Sequence, residues 1–253
     1  PFTVRRGGTV RDVARLVHKD IASSLKFARL WGGGQFAGQQ VSAEHLVCDG
    51  DIIELHSNSK ATMKAAVFKQ AGVPLVIEEV VDPEPGPDDL ILKVKACGIC
   101  GTDLHWSQGI DSTAGWRDLV ANSVMGHEFS GEVVEVGKNA RPHFQTGERV
   151  VAQPFIGCGS CAVCRAGRSY RCPTVITRAS ANLTGAYADY TRVGVAETLR
   201  LPEAVNFHAG ALVEPLAVGL NAVKRAGLQA GDAVLIIGAG PVGLSVALWC
   251  RFF

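Results

Sequence analysis

Hydrophobic and polar positions along the chain fall into three patterns. In the first, up to about residue 57, apolar positions come in short runs. Phe2 to Arg5 suits a strand, Gly7-Gly8 a turn, and Thr9-Val-Arg-Asp12 a capping box opening a helix with Val13, Leu16 and Val17 on one face. Phe27 to Trp31 and Asp51 to Leu55 read as further strands, separated by the glycine-rich loop WGGGQFAGQQ and the turn pair Asp49-Gly50. This order of strand, helix and strands is a β-grasp (ubiquitin-like) pattern. Ser57 to Thr62 is a polar connector. The second pattern starts at Met63, where two strand-like apolar runs flank the turn-rich DPEPGPDD, whose prolines stop a continued ladder. In the third, residues 233–250 (AVLIIGAGPVGLSVALWC) carry no charge over eighteen positions, the length of a membrane span. Gly238, Gly240, Pro241 and Gly243 interrupt that run, so it reads as a buried strand, a glycine turn and the start of an apolar helix.

Composition supports a folded, multidomain α+β chain. Of its 253 residues 47% are hydrophobic and 19% charged, enough to bury a core, and a net charge of +1 gives no overall field toward nucleic acid or a membrane surface. The first ten residues, PFTVRRGGTV, contain no apolar core of a signal peptide. A reducing, cytoplasmic location without membrane contact is therefore expected, in which cysteines serve metals or cores. Residues 1–29 hold seven basic side chains (Arg5, Arg6, Arg11, Arg15, Lys19, Lys26, Arg29) against Asp12 and Asp20. They read as a solvated helix face or as an RNA-facing patch.

Four of the eight cysteines lie in residues 158–172, CGSCAVCRAGRSYRC. Cys158, Cys161 and Cys164 repeat a C-x-x-C bite around one ion, and Cys172 returns to complete a tetrahedron of thiolates, the donor set of a structural zinc. The competing readings are two disulfides or four unrelated thiols. Two further clusters carry metal-ligand chemistry: GICGTDLH from Gly98 to His105, and Gly126-His127-Glu128. Cys100 offers a soft thiolate and His127 an imidazole, a pair that catalytic zinc uses together with a carboxylate or water. Cys97 reads as a small buried hydrophobe.

After the apolar run at residues 233–237, Gly238, Gly240 and Gly243 form a G-x-G-x-x-G turn at a helix start. Such a turn brings backbone N–H groups to a dinucleotide pyrophosphate. The acidic residue that reads the adenosine ribose is expected about twenty positions further on, beyond Phe253, so NAD and NADP stay undistinguished.

Residues 1–57 resemble the TGS domain at the C-terminus of developmentally regulated GTP-binding proteins, through PFTVRRGGTVRDVARLVHKDIASSLKFARLWG and GQQVSAEHLVCDGDIIELH. The resemblance implies contact with RNA, a ribosome or a GTPase partner. It does not extend to GTP hydrolysis, since no G-x-x-x-x-G-K-[ST] loop occurs in the chain. Residues 63–253 resemble the zinc-containing medium-chain alcohol and polyol dehydrogenases, through GICGTD, GHE, the four-cysteine loop, ALVEPLAVG and GAGPVG. That resemblance implies a GroES-like, partly open β-barrel over residues 63–228, after a linker at 58–62, and the first β-turn-α of a Rossmann fold over 229–253.

By the same resemblance Cys100 and His127 hold a catalytic zinc, with Glu128 or Glu214 near the metal directly or through water and Asp103 supporting it. Thr102 and His105 stand where the family relays a proton. Cys158, Cys161, Cys164 and Cys172 hold a second zinc, and Gly238, Gly240, Pro241, Val242 and Gly243 meet NAD or NADP. The implied activity is oxidation of a secondary alcohol or polyol by hydride transfer to NAD(P), in a homo-oligomer when full length. The 253-residue chain alone is expected to bind zinc without turnover, its last helix having nothing to pack against. Two other readings stay open: a TGS-mediated binding protein with a non-catalytic zinc domain, and a misassembled fusion without activity.

Overall fold

The computed structural model describes residues 7–32, 38–57, 61–109, 120–177 and 185–253. They form two compact units, Pro1–Ala61 and Thr62–Phe253. The expected strand from Phe2 to Arg5 and the side chains of Arg5, Arg6 and Asp20 lie outside the described residues.

In the first unit, helices α1 (Val10–Val17) and α2 (Lys19–Ser24) accompany strands β1 (Leu25–Trp31), β2 (Gln39–Val41) and β3 (Ile52–Ser57), in the antiparallel order β2-β1-β3. Thr9 caps α1 as expected: its hydroxyl accepts from the Asp12 N–H at 3.3 Å, and Asp12 accepts from the Thr9 N–H at 2.9 Å. The buried face of α1 differs from the expected one. Val10 and Ala14, one turn apart, are fully buried, and Val10 packs with Ala28, Leu30 and Val41 of the sheet, whereas Leu16 and Val17 are exposed. A valine and an alanine let the helix lie close to the strands, and that approach outweighs the larger side chains further along it.

The second unit opens with β4 (Thr62–Phe68), β5 (Val76–Val81) and β6 (Asp89–Cys97), then α3 (Gly101–Gln108), β7 (Ser123–Val124), β8 (Phe129–Val136) and β9 (Arg149–Ala152). A lobe follows, made of β10 (Phe155–Ile156), α4 (Ala162–Arg165) and β11 (Ile176–Thr177). The chain returns through β12 (Tyr190–Gly194) and β13 (Thr198–Arg200) and ends in α5 (Phe207–Ala211), α6 (Val213–Ala226) and α7 (Pro241–Phe252). The main sheet has the order β12-β6-β8-β9-β13, and a smaller one the order β5-β4-β7. Among the described residues β12 and β13 are the two ends of the main sheet, so it does not close into a barrel. Its core is Leu90, Leu92, Phe129, Val133, Val150 and Val193, with Phe144 and Ala186 completing the layer and Cys97 packed against it.

One expected element is not formed. Residues 232–239, which include the apolar run read as a strand, belong to neither helix nor strand, and Leu235 and Ile237 are 85% and 91% exposed. A strand needs a ladder partner for its N–H and C=O groups, and no described residue supplies one. The helix after it does have a partner, contrary to expectation: Trp249 Nε1 donates to the Leu216 carbonyl of α6 at 2.8 Å, and Ser245 Oγ to the same oxygen at 3.3 Å.

Candidate functional site

Strand pairing brings GICGTDLH and GHE together. β6 and β8 run antiparallel with Cys97 opposite Phe129, so the chain leaving β6 and the chain entering β8 meet at one end of the sheet. The Gly98 N–H donates to the Glu128 carbonyl at 2.7 Å and ties the two turns. Two glycines permit this closeness. A Cβ at Gly98 would collide with the Glu128 carboxylate, and one at Gly126, where φ is +91°, would lie 2.6 Å from the Tyr187 ring.

The result is a cluster in which Cys100 Sγ, an imidazole nitrogen of His127 and a carboxylate oxygen of Glu128 all lie within 4.8 Å of one another. Behind it Asp103, 3% exposed, sets Oδ1 3.4 Å from His127 Nδ1, which leaves Nε2 as the donor for an ion. The other oxygen of Asp103 accepts from the Cys100 N–H at 3.0 Å and from the Tyr187 hydroxyl at 2.8 Å. Thr102 is half-buried and hydrogen-bonded to Cys100, and His105 is exposed on α3. Glu214, in the first turn of α6, stands outside the three-ligand cluster, although His127 feels its charge.

Charge at this site is unbalanced in favour of a cation. Burial pushes the Cys100 thiol and the Glu214 carboxyl up from their ordinary values. Burial also works against the charged forms of Asp103 and His127, but their mutual contact outweighs it, with Asp103 moving down and His127 up. One imidazole thus faces three carboxylates and a thiol. A thiolate, an imidazole and a carboxylate with a fourth side free are the donor set of a zinc site open to a further ligand, and a divalent cation would offset the crowding of negative groups.

The four-cysteine loop closes locally. Each turn is pinned by an N–H···S hydrogen bond: Cys161 N to Cys158 Sγ at 3.3 Å, Cys164 N to Cys161 Sγ at 3.4 Å, and Cys158 N to Cys172 Sγ at 3.4 Å. Cys158–Cys164 and Cys161–Cys172 are 4.0 Å apart between sulfurs, and all eight cysteines are free. Disulfides are excluded at that distance, while a tetrahedron with metal–sulfur bonds of about 2.3 Å has edges of nearly this length. Hydrogen bonds from Ser160 and the Cys161 N–H lower the Cys158 thiol to about 5, and Thr174 lowers Cys172. Burial and the neighbouring Cys161 sulfur raise Cys164 to about 12.

Gly238, Gly240, Pro241, Val242 and Gly243 stand at the exposed start of α7, with Gly240 as N-cap and Pro241 in the first turn. A cleft of about 340 Å³ lies between α3 and residues 72–75, with Asp103, Met125 and Tyr187 in its wall. Tyr187 was not singled out in the sequence. Its one signal there is a hydroxyl-bearing aromatic in GAYADY, where a plain apolar ring would serve packing equally well.

Comparison with known proteins agrees with both halves of this architecture. Residues 86–203 match the alcohol dehydrogenase GroES-like domain and residues 1–57 match the TGS domain. Sorbitol dehydrogenase of Ovis aries is 40% identical over 67% of this chain and 47% of its own length. L-threonine 3-dehydrogenase of Rhizobium etli is 35% identical over 74% of this chain and 52% of its own. The crystal structure of 2R,3R-butanediol dehydrogenase from Bacillus subtilis superposes with a TM-score of 0.61 at 35% identity, covering 73% of this chain and 53% of that one. The chain thus carries a TGS domain followed by the GroES-like fold of the zinc-binding dehydrogenases, and spans about half the length of the curated relatives it matches.

Proposed function

We propose that residues 62–253 are the metal-holding part of a zinc-dependent alcohol or polyol dehydrogenase that passes hydride to NAD or NADP. The observation that carries this reading is the cluster of Cys100, His127 and Glu128 ligand atoms within 4.8 Å of one another, backed by Asp103 on His127 Nδ1. A zinc ion bound there supplies Lewis acidity that polarises an alcohol oxygen. The chain's own residues do the rest: Asp103 fixes the imidazole, Glu214 adds negative charge from α6, and Thr102 and His105 on α3 offer a hydroxyl and an exposed imidazole for moving a proton outward. Cys158, Cys161, Cys164 and Cys172 hold a second, purely structural zinc. Residues 229–253 form the start of a dinucleotide-binding domain, in which the turn of Gly238, Gly240, Pro241, Val242 and Gly243 at the start of α7 would offer its backbone N–H groups to a pyrophosphate.

Residues 1–57 act as a β-grasp interaction module. RNA, ribosome or GTPase contact stays the secondary reading, because Arg11 and Arg15 of the basic stretch are already paired with Glu44 at 2.7 Å and with Asp12 at 3.2 Å. Metal analysis of the pure chain is expected to find two zinc ions. The chain extended by the remaining half of a sorbitol dehydrogenase is expected to oxidise short secondary alcohols or polyols with NAD(P), and to lose that activity on Cys100→Ser. A single zinc per chain, unchanged by Cys100→Ser, refutes the dehydrogenase reading.

A further inference from the structure

Tyr187 is bonded to Asp103, the carboxylate behind the Cys100–His127–Glu128 cluster, and to the turn at Gly98, without being one of the cluster's ligands. Its backbone is strapped on both sides, the N–H donating to the Met125 carbonyl at 2.9 Å and the carbonyl accepting from the Ala66 N–H of β4 at 2.8 Å. Its ring lies against Gly126, where even a methyl group would be too close. Its hydroxyl, with a single proton, reaches Asp103 Oδ2 at 2.8 Å and the Gly98 carbonyl at 3.1 Å. One side chain therefore braces the turn before His127, the turn before Cys100 and the carboxylate between them.

We infer that Tyr187 is a positioning residue whose hydroxyl sets the carboxylate plane of Asp103, and through it the ring orientation and free nitrogen of His127. The argument rests on the hydrogen-bond inventory of Asp103. Oδ2 receives the Tyr187 hydroxyl and the Cys100 N–H, while Oδ1 is buried with no hydrogen-bonding neighbour except the His127 imidazole at 3.4 Å. Two donors on one oxygen stop the carboxylate from rotating, so the other oxygen stays aimed at Nδ1. Without the hydroxyl, Oδ2 keeps only the backbone donor, and the carboxylate gains freedom to turn away from the imidazole. This inference rests on the proposed metal role of Cys100, His127 and Glu128.

The test is Tyr187→Phe, which keeps the ring against Gly126 and removes only the oxygen. Cobalt(II) loaded into the 253-residue chain, after zinc has filled the four-cysteine loop, reports on the second site through its absorption spectrum and through competition with a chelator. Tyr187→Phe is expected to weaken cobalt binding about tenfold, the low end for groups that orient a metal ligand, and to shift the absorption bands. It should add almost nothing in an Asp103→Asn background, because the hydroxyl acts through that carboxylate. Retained zinc in the four-cysteine loop and an unchanged circular dichroism spectrum verify folding. Cobalt binding and spectrum unchanged in Tyr187→Phe, or a loss fully additive with Asp103→Asn, overturns the inference. A wild-type chain that takes up no cobalt beyond the four-cysteine loop overturns the metal reading of Cys100, His127 and Glu128, and the inference with it.

Discussion

The two metal-ligand clusters of the second unit are built in opposite ways. The four cysteines lie in one loop, with Cys158 and Cys172 fourteen positions apart, and N–H···S bonds inside the loop bring them together. Cys100, His127 and Glu128 arrive from two turns that meet only because β6 pairs with β8, and Glu214 approaches from a helix near the end of the chain. The loop has little hydrophobic core of its own: Cys158 is exposed, and among its four cysteines only Cys172 is buried. The other cluster sits on a packed sheet. A loop closed by its own thiolates depends on its ion for structure, whereas a site assembled by the sheet exists before the ion binds.

That contrast predicts unequal consequences of metal loss. Cys172→Ser should have the largest effect, because structural zinc in small thiolate sites contributes on the order of 10 kcal/mol to local folding. One zinc per chain is expected to disappear and the segment 158–172 to become open to proteolysis, while β6 and β8 keep their amide protection in hydrogen exchange. Equal loss of protection in the sheet would mean that the loop is integral to the core. Asp103→Asn should instead leave the fold and the four-cysteine zinc intact and weaken the second ion about 10–100-fold, read by chelator competition.

Gly98→Ala sharpens the same point from the side of the fold. The new methyl group would press on the Glu128 carboxylate and its Cβ, and the backbone bond from Gly98 to Glu128 leaves little room to yield. A cost of about 1–3 kcal/mol in the metal-free protein is expected, with weaker metal binding at the second site only. An unchanged thermal midpoint would show that the two turns can separate without cost.

The same division explains what could be read from the sequence. Cys158, Cys161, Cys164 and Cys172 are legible as one ligand set because their spacing is their geometry. The spacing of Cys100, His127 and Glu128 carries no such information, since the register Cys97 to Phe129 that unites them is a property of the sheet. Resemblance to a family supplied what spacing lacked. The brace from Tyr187 escaped even that, because nothing in GAYADY shows that its hydroxyl reaches a carboxylate 84 positions away. The apolar run at residues 233–237 erred in the other direction: its pattern is that of a buried strand, but a strand is completed by neighbours, and none of the described residues pairs with it. The buried face of α1 differs from the expected one for a related reason: the side on which the sheet lies, against Val10, is set by the fold and not by the helix's own pattern.

The smallest expected effect concerns closure at its most local, the capping box of α1, where Thr9 and Asp12 satisfy each other's N–H groups within four residues and no metal is needed. Thr9→Ala should destabilise the first unit by about 1 kcal/mol and leave both zinc sites unchanged, because the box belongs to a different compact unit from the clusters. Its pH dependence has a definite sign. Hydrogen bonds from the Thr9 N–H and hydroxyl, with Arg15 nearby, hold Asp12 below its ordinary value of 3.8. A carboxylate whose pKa is lowered on folding contributes stability that is fully present above the unfolded value and lost as pH falls through the folded one. The difference between wild type and Thr9→Ala should therefore be constant from neutral pH down to about pH 5 and shrink below pH 4, where Asp12 becomes protonated in both. Amide hydrogen exchange of β1, which lies in the first unit, followed against denaturant concentration reads it. A difference that persists undiminished at pH 2 would assign the helix start to the Thr9 hydroxyl alone and leave the Asp12 carboxylate without a part in it.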